Sequence, residues 1–133
     1  MKAISITIAI ILTTIVGFSQ NNLTAKINGL QTNAGTVKVK LLDANNKVVN
    51  QTTAKVNNHT CEVKFEGLKS GKYAVQYFHD ENDNGKLDTG TFGRPVEGYG
   101  YSNDARGFMG PADFEDQIFE ITRNLEISLK TVL

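Results

Sequence analysis

The sequence predicts an all-β domain: about seven strands arranged as a two-sheet antiparallel sandwich of prealbumin-like or immunoglobulin-like kind, with one long acidic, glycine-rich loop. Three observations lead there. Apolar residues recur at every second position, the period of a half-buried strand, rather than at helical spacing. Clusters of Asn, Asp and Gly punctuate these runs, as turns require. The stretch from His79 to Asp113 follows neither period, yet it holds seven of the chain's twelve glycines.

The first 19 residues read as a secretory signal peptide. Lys2 is the positive start, Ile4 to Val16 form an apolar run, and Gly17 and Ser19 are small residues at cleavage-compatible positions. The apolar run is shorter than the roughly 20 residues a membrane span needs. The expected mature chain therefore runs from Gln20 to Leu133 as a single β domain with no transmembrane segment, exported to the periplasm or beyond the cell.

Leu23, Ala25 and Ile27 alternate with polar residues and predict the first strand of this domain. Asn28-Gly29 ends it. Val37, Val39 and Leu41 form the next strand, with Lys38 and Lys40 facing outward. Val48 to Val56 alternates more weakly and predicts a third. Cys61, Val63 and Phe65 predict a fourth, which buries the chain's single cysteine. That cysteine has no disulfide partner, and its alternation with Val63 and Phe65 makes it a core thiol rather than a reactive one. Tyr73, Val75 and Tyr77 predict a fifth strand, entered through Leu68-Lys69-Ser70-Gly71-Lys72-Tyr73. This entry resembles the Leu-x-x-Gly-x-Tyr turn of prealbumin-like and collagen-adhesin B-type modules, which implies a tyrosine that packs while its hydroxyl is tethered. Ile118 to Ile121 and Leu125 to Val132 close the domain as strands, with Leu125, Ile127 and Leu129 on one face.

The sequence from Asp80 to Asp88 is spaced like a calcium-binding loop. Side-chain oxygens fall at loop positions one, three and five (Asp80, Asn82, Asn84), Gly85 occupies the sharp turn at six, and Asp88 stands at nine. Ca²⁺ takes roughly 6–8 hard oxygen ligands, and a tightly coiled loop aims alternate residues at one point. Lys86, at seven, would offer only its carbonyl, and Leu87 can turn inward as an anchor. Position twelve, normally a bidentate Glu, is Thr91. The missing ligand has to come from elsewhere or from water; the candidate carboxylates are Glu97, Asp104, Asp113 and Asp116, and Glu97 is taken to complete the shell. A plain turn is the competing reading, because Asp, Asn and Gly are turn formers in any case.

Charge follows the same division. Between His79 and Asp116 nine acids stand against three bases, whereas the rest of the expected mature chain is mildly basic. A negative loop on such a scaffold suits a cation and repels nucleic-acid phosphates. His79 is expected to make a structural hydrogen bond beside Asp80, and His59 to lie solvated in a polar turn. Arg94 and Glu97 are expected to pair within the loop. Tyr99 and Tyr101, flanking Gly100, are expected to cover a sheet edge or to line a ligand surface for sugar or peptide.

Three segments carry a family resemblance. His79-Asp80-Glu81-Asn82-Asp83-Asn84-Gly85-Lys86-Leu87-Asp88, then Gly93-Arg94-Pro95-Val96-Glu97-Gly98-Tyr99-Gly100-Tyr101-Ser102-Asn103, then Gly110-Pro111 with Phe114-Glu115-Asp116, resemble the exported bacterial proteins grouped as domain-of-unknown-function family 2141. The resemblance implies a small exported β domain and no mechanism. No nucleophile elbow, zinc-spaced Cys/His cluster, phosphate loop or dinucleotide fingerprint occurs. The expected function is a calcium-supported binding or structural module of the bacterial envelope, with an envelope protein or glycan as partner. The alternative is a small carbohydrate-active hydrolase or carbohydrate-binding protein using residues 79–116.

Overall fold

The computed structural model describes residues 20–133, so the expected signal peptide lies outside the described residues. The alternating segments form strands whose apolar positions point one way. In β1 (Gln20–Asn28), Leu23, Ala25 and Ile27 are fully buried. β2 (Thr36–Asp43) buries Val37, Val39 and Leu41, while β3 (Val48–Lys55) is largely exposed. β4 (Cys61–Lys69) buries Cys61, Val63 and Phe65, and β5 (Gly71–Asp80) buries Val75 and Tyr77. Three shorter strands follow: β6 (Tyr99–Tyr101), β7 (Phe119–Ile121) and β8 (Leu125–Lys130).

Among the described residues eight strands thus stand where about seven were expected, in two sheets. One has the order β4-β1-β8 and the other β3-β2-β5-β6, with β7 also pairing β5. Pairing is antiparallel except at one place, where β1 and β8 run parallel from Leu23↔Leu125 to Asn28↔Lys130. This corrects the wholly antiparallel expectation. Alternation sets which face a strand buries but not the direction of its neighbour, and two strands nearly a full chain length apart need no tight hairpin between them. The inner faces of both sheets meet in one apolar cluster that includes Ile27, Phe65, Leu129, Val39, Leu41 and Val75.

Cys61 joins that cluster, and burial pushes its thiol up to about 11, so it is protonated at neutral pH. Tyr73 lies half-buried at the start of β5, and its hydroxyl donates to the Lys69 carbonyl at 2.7 Å, the tether that the Leu-x-x-Gly-x-Tyr entry implies.

The span after β5 is not one irregular loop. It contains a 3-10 turn at Thr91–Gly93, strand β6, a second 3-10 turn at Ser102–Asp104, and one short helix, α1 (Phe114–Gln117). β6 is too short to show a period. It forms because β5 offers a free edge, pairing Gln76↔Tyr101, Tyr77↔Gly100 and Phe78↔Tyr99. Gly100 is required in the middle position, since a Cβ there would collide with the ring and hydroxyl of Tyr77 beneath it. Among the described residues no helix is long and apolar enough to cross a membrane.

Candidate functional site

Strand β5 ends in Asp80, the first residue of the oxygen-spaced loop. The Asp80 side chain is fully buried and organises the turn that follows. Its Oδ1 accepts the Asn84 amide at 3.1 Å and its Oδ2 accepts the Gly85 amide at 2.8 Å. The next two oxygens repeat the device: Asn82 Oδ1 accepts the Asn84 amide at 3.3 Å, and Asn84 Oδ1 accepts the Lys86 amide at 3.1 Å. These Asx turns coil the chain tightly, which is why Asp and Asn alternate here. Gly85 takes φ +82°, in the left-handed region where a side chain would be strained.

Asp88 closes the cluster. The Asn82 amide donates to its Oδ2 at 2.6 Å and the Asn84 amide to its Oδ1 at 2.7 Å. These two amides, that of Asn84 first, hold the Asp88 carboxyl below its usual range, with Lys86 adding a smaller electrostatic effect. Asp88 is therefore an anion at neutral pH.

Glu97 is only 3% exposed and reaches across to both limbs of the loop. Its Oε1 accepts the Glu81 amide at 3.2 Å, and its Oε2 accepts the Asp88 amide at 3.0 Å. It is not paired with Arg94, contrary to the sequence expectation: the two loop amides need an acceptor inside, whereas Arg94 is exposed. Of the other candidate carboxylates, Asp104 accepts the Lys130 amide at 2.8 Å, and Asp113 and Asp116 lie at and within α1. The structure thus brings together Asp80, Asn82, Asn84, Asp88 and Glu97. Lys86 joins through its amide, donated to Asn84. Among the described residues no group of three His, Cys, Asp or Glu side chains has metal-holding geometry. Asp80 and Glu97 are turned onto backbone amides, and Asp88 onto the side-chain amides of Asn82 and Asn84.

His79 is fully buried, and its Nε2 donates to the Ala34 carbonyl at 2.6 Å, the structural hydrogen bond expected of it. Its Nδ1 lies 3.7 Å from Glu81 Oε1. His59 is exposed but not merely solvated, since its Nδ1 donates to the Leu30 carbonyl at 2.7 Å.

The loop stands at one end of the outer face of the β3-β2-β5-β6 sheet. Lys38 Nζ lies 3.9 Å from Asp80 Oδ2, and the Thr36 hydroxyl donates to Asp83 Oδ1 at 2.9 Å, so β2 braces the loop directly. Beside it lies a groove of about 540 Å³ lined in part by Lys38, Lys40, Gln76, Leu87, Tyr99 and Tyr101. The volume falls within the range of small-ligand sites. The Tyr99 and Tyr101 rings stand 6.0 Å apart at 75°, edge to face. Leu87 turns half inward as the sequence suggested, although toward this groove. Sequence reasoning singled out the two tyrosines but missed the groove. Besides the tyrosines, the outward-facing Lys38 and Lys40 were a signal of it, but the floor comes from four strands whose register is not written locally.

No curated protein and no solved structure matches the chain. A family model does match, over residues 25–128, and its description is that of an uncharacterized protein conserved in bacteria. That span takes in both sheets, the oxygen-rich loop and the tyrosine pair, and the chain belongs to this bacterial family, DUF2141.

Proposed function

We propose that the protein is an exported, calcium-supported β module of the bacterial envelope that works by binding rather than by catalysis, with its two sheets forming a prealbumin-like or immunoglobulin-like sandwich. The observation that carries the ion reading is Glu97. A loop lacking its twelfth-position carboxylate has a buried carboxylate delivered to both of its limbs from nine residues beyond Asp88. Asp80, Asn82, Asn84, Asp88 and Glu97 would hold the ion, together with the Lys86 carbonyl. A bound ion would supply charge neutralisation and cross-link a segment with little regular ladder.

The groove supports the binding part of the reading. Among the described residues its lining contains lysine, glutamine, threonine and tyrosine but no Asp, Glu or His, so these offer no carboxylate pair for glycoside hydrolysis. Residues 1–19 would direct export, and intact mass of the secreted chain should start at Gln20.

The test of the ion is a thermal melt of the mature chain in Ca²⁺, Mg²⁺ and chelator. With a Kd near about 10⁻⁴ M and about 5 mM free Ca²⁺, mass action stabilises the fold by about 2 kcal/mol, or about 10 °C for this size. Mg²⁺ should do much less, because it demands tighter octahedral geometry. Asp80→Ala should abolish the shift and Lys86→Ala should preserve it. No shift in either direction, with no metal found by elemental analysis, refutes the calcium reading.

A further inference from the structure

Strand register lays out the outer face of the β3-β2-β5-β6 sheet as two rows. In one, Gln51 pairs with Lys40, Lys40 with Gln76, and Gln76 with Tyr101. In the other, Thr53 pairs with Lys38, Lys38 with Phe78, and Phe78 with Tyr99. All eight line the same groove. With strands about 4.8 Å apart, each row runs about 14 Å from the β3 edge to the tyrosines. Each row begins with a neutral polar group at the β3 end, continues with a lysine and ends in a tyrosine; the third place is Gln76 in one row and Phe78 in the other.

We propose that this groove binds a short carboxylate-bearing oligosaccharide, with its sugar rings against Tyr99 and Tyr101 and a carboxylate on Lys40. This deepens the binding-module reading by naming the ligand class, and it does not depend on the calcium part.

Three features of the groove select that class. Among the described residues the two lysines are the only charged groups in the lining; Lys38 faces Asp80, whereas Lys40 makes no ion pair, so the uncompensated positive charge sits at Lys40. Gln51, Thr53 and Gln76 offer donors and acceptors beside the half-buried rings of Phe78, Tyr99 and Tyr101, which matches a polyol with one apolar face. The Gln76 amide is held ready by a hydrogen bond of 2.9 Å to Gln117, which is itself buried and donates to the Ala112 carbonyl at 3.0 Å.

The same features disfavour other anions. An extended peptide gains affinity by adding to a sheet edge, whereas here the floor is a sheet face whose backbone groups are already paired. Single-stranded nucleic acid needs a basic track along its whole backbone, and this groove offers two lysines, one of them already facing Asp80.

The test is calorimetric titration of the mature chain with two carboxylated tetrasaccharides, from hyaluronan and from polygalacturonate, each against its carboxyl-reduced counterpart. We expect at least one carboxylated form to bind and its reduced form to bind about fivefold more weakly, with a salt-sensitive difference. Tyr101→Ala should weaken both forms about tenfold. Lys40→Gln, at an exposed position that leaves folding intact, should erase the preference for the charged form while the reduced form still binds. No binding of any form, equal binding of charged and reduced forms, or tighter binding of oligoaspartate or oligothymidylate overturns the proposal. The titrations are repeated in chelator. Saccharide binding by a chain that is metal-free by elemental analysis and shows no calcium-dependent melt leaves this inference standing and the ion reading refuted; a calcium-dependent melt without saccharide binding does the reverse.

Discussion

The two sheets and the connection from Glu81 to Gly98 are built on opposite principles. The sheets are held by interdigitated apolar side chains such as Leu23, Ile27, Val39 and Phe65, a force that is non-directional and spread over many contacts. The connection contributes little apolar burial of its own and leaves Phe92 and Val96 exposed. It is held by carboxylates and amides that accept named backbone N–H groups: Asp80 for Asn84 and Gly85, and Glu97 for Glu81 and Asp88. Burial tolerates small changes of shape. A directional acceptor shared by two donors does not, because its loss strands both. The connection should therefore fail locally and at single residues, whereas the core should fail globally and by degree.

The largest effect should come from the core. Phe65→Ala removes one of the largest fully buried side chains and should cost about 3–5 kcal/mol by denaturant unfolding, with every probe reporting the same loss. Glu97→Ala should cost about 2 kcal/mol, read in amide exchange as lost protection across residues 81–98 while β1 and β4 stay protected. If Glu97→Ala lowers protection uniformly, the connection is part of the global unit and the contrast fails. Tyr73→Phe removes only the hydroxyl tether to Lys69 and should cost about 1 kcal/mol in a denaturant melt. A cost near zero would leave Tyr73 as packing alone.

The smallest effect should be a pH dependence at Asp88. Its folded-state carboxyl is held below the ordinary value by the amides of Asn84 and Asn82. As pH falls, the unfolded chain takes up this proton first. The stabilisation is therefore present above the ordinary carboxylate range and is lost as pH drops through the lowered folded value. Melting temperature followed downward from about pH 5 should fall more steeply in the parent than in Asp88→Asn. Identical slopes would remove Asp88 from the loop's electrostatics.

Much of this was legible in the residues because it is local. Alternation identified the long strands and the burial of Cys61, since strand side chains change face at every step whatever the partner. Asp80, Asn82, Asn84 and Gly85 announced a coiled loop because Asx turns close within a few residues. Glu97 was the first of several candidates for the absent position-twelve ligand, but spacing could not separate it from Asp104, which turned out to cap Lys130. The expected Arg94–Glu97 pair failed for the same reason: proximity in sequence says nothing about which donor is buried.

The sequence by itself determined which face each long strand would bury and where the chain would coil around oxygens, because both follow from backbone geometry over a few residues. Tertiary structure decided the parallel pairing of β1 with β8, the existence of three-residue β6 on the edge of β5, and the arrival of Glu97 beneath the loop. It also decided the two rows that run from Gln51 and Thr53 to the tyrosines. Each of these depends on register between segments far apart in the chain, and register is set by how whole sheets share one core.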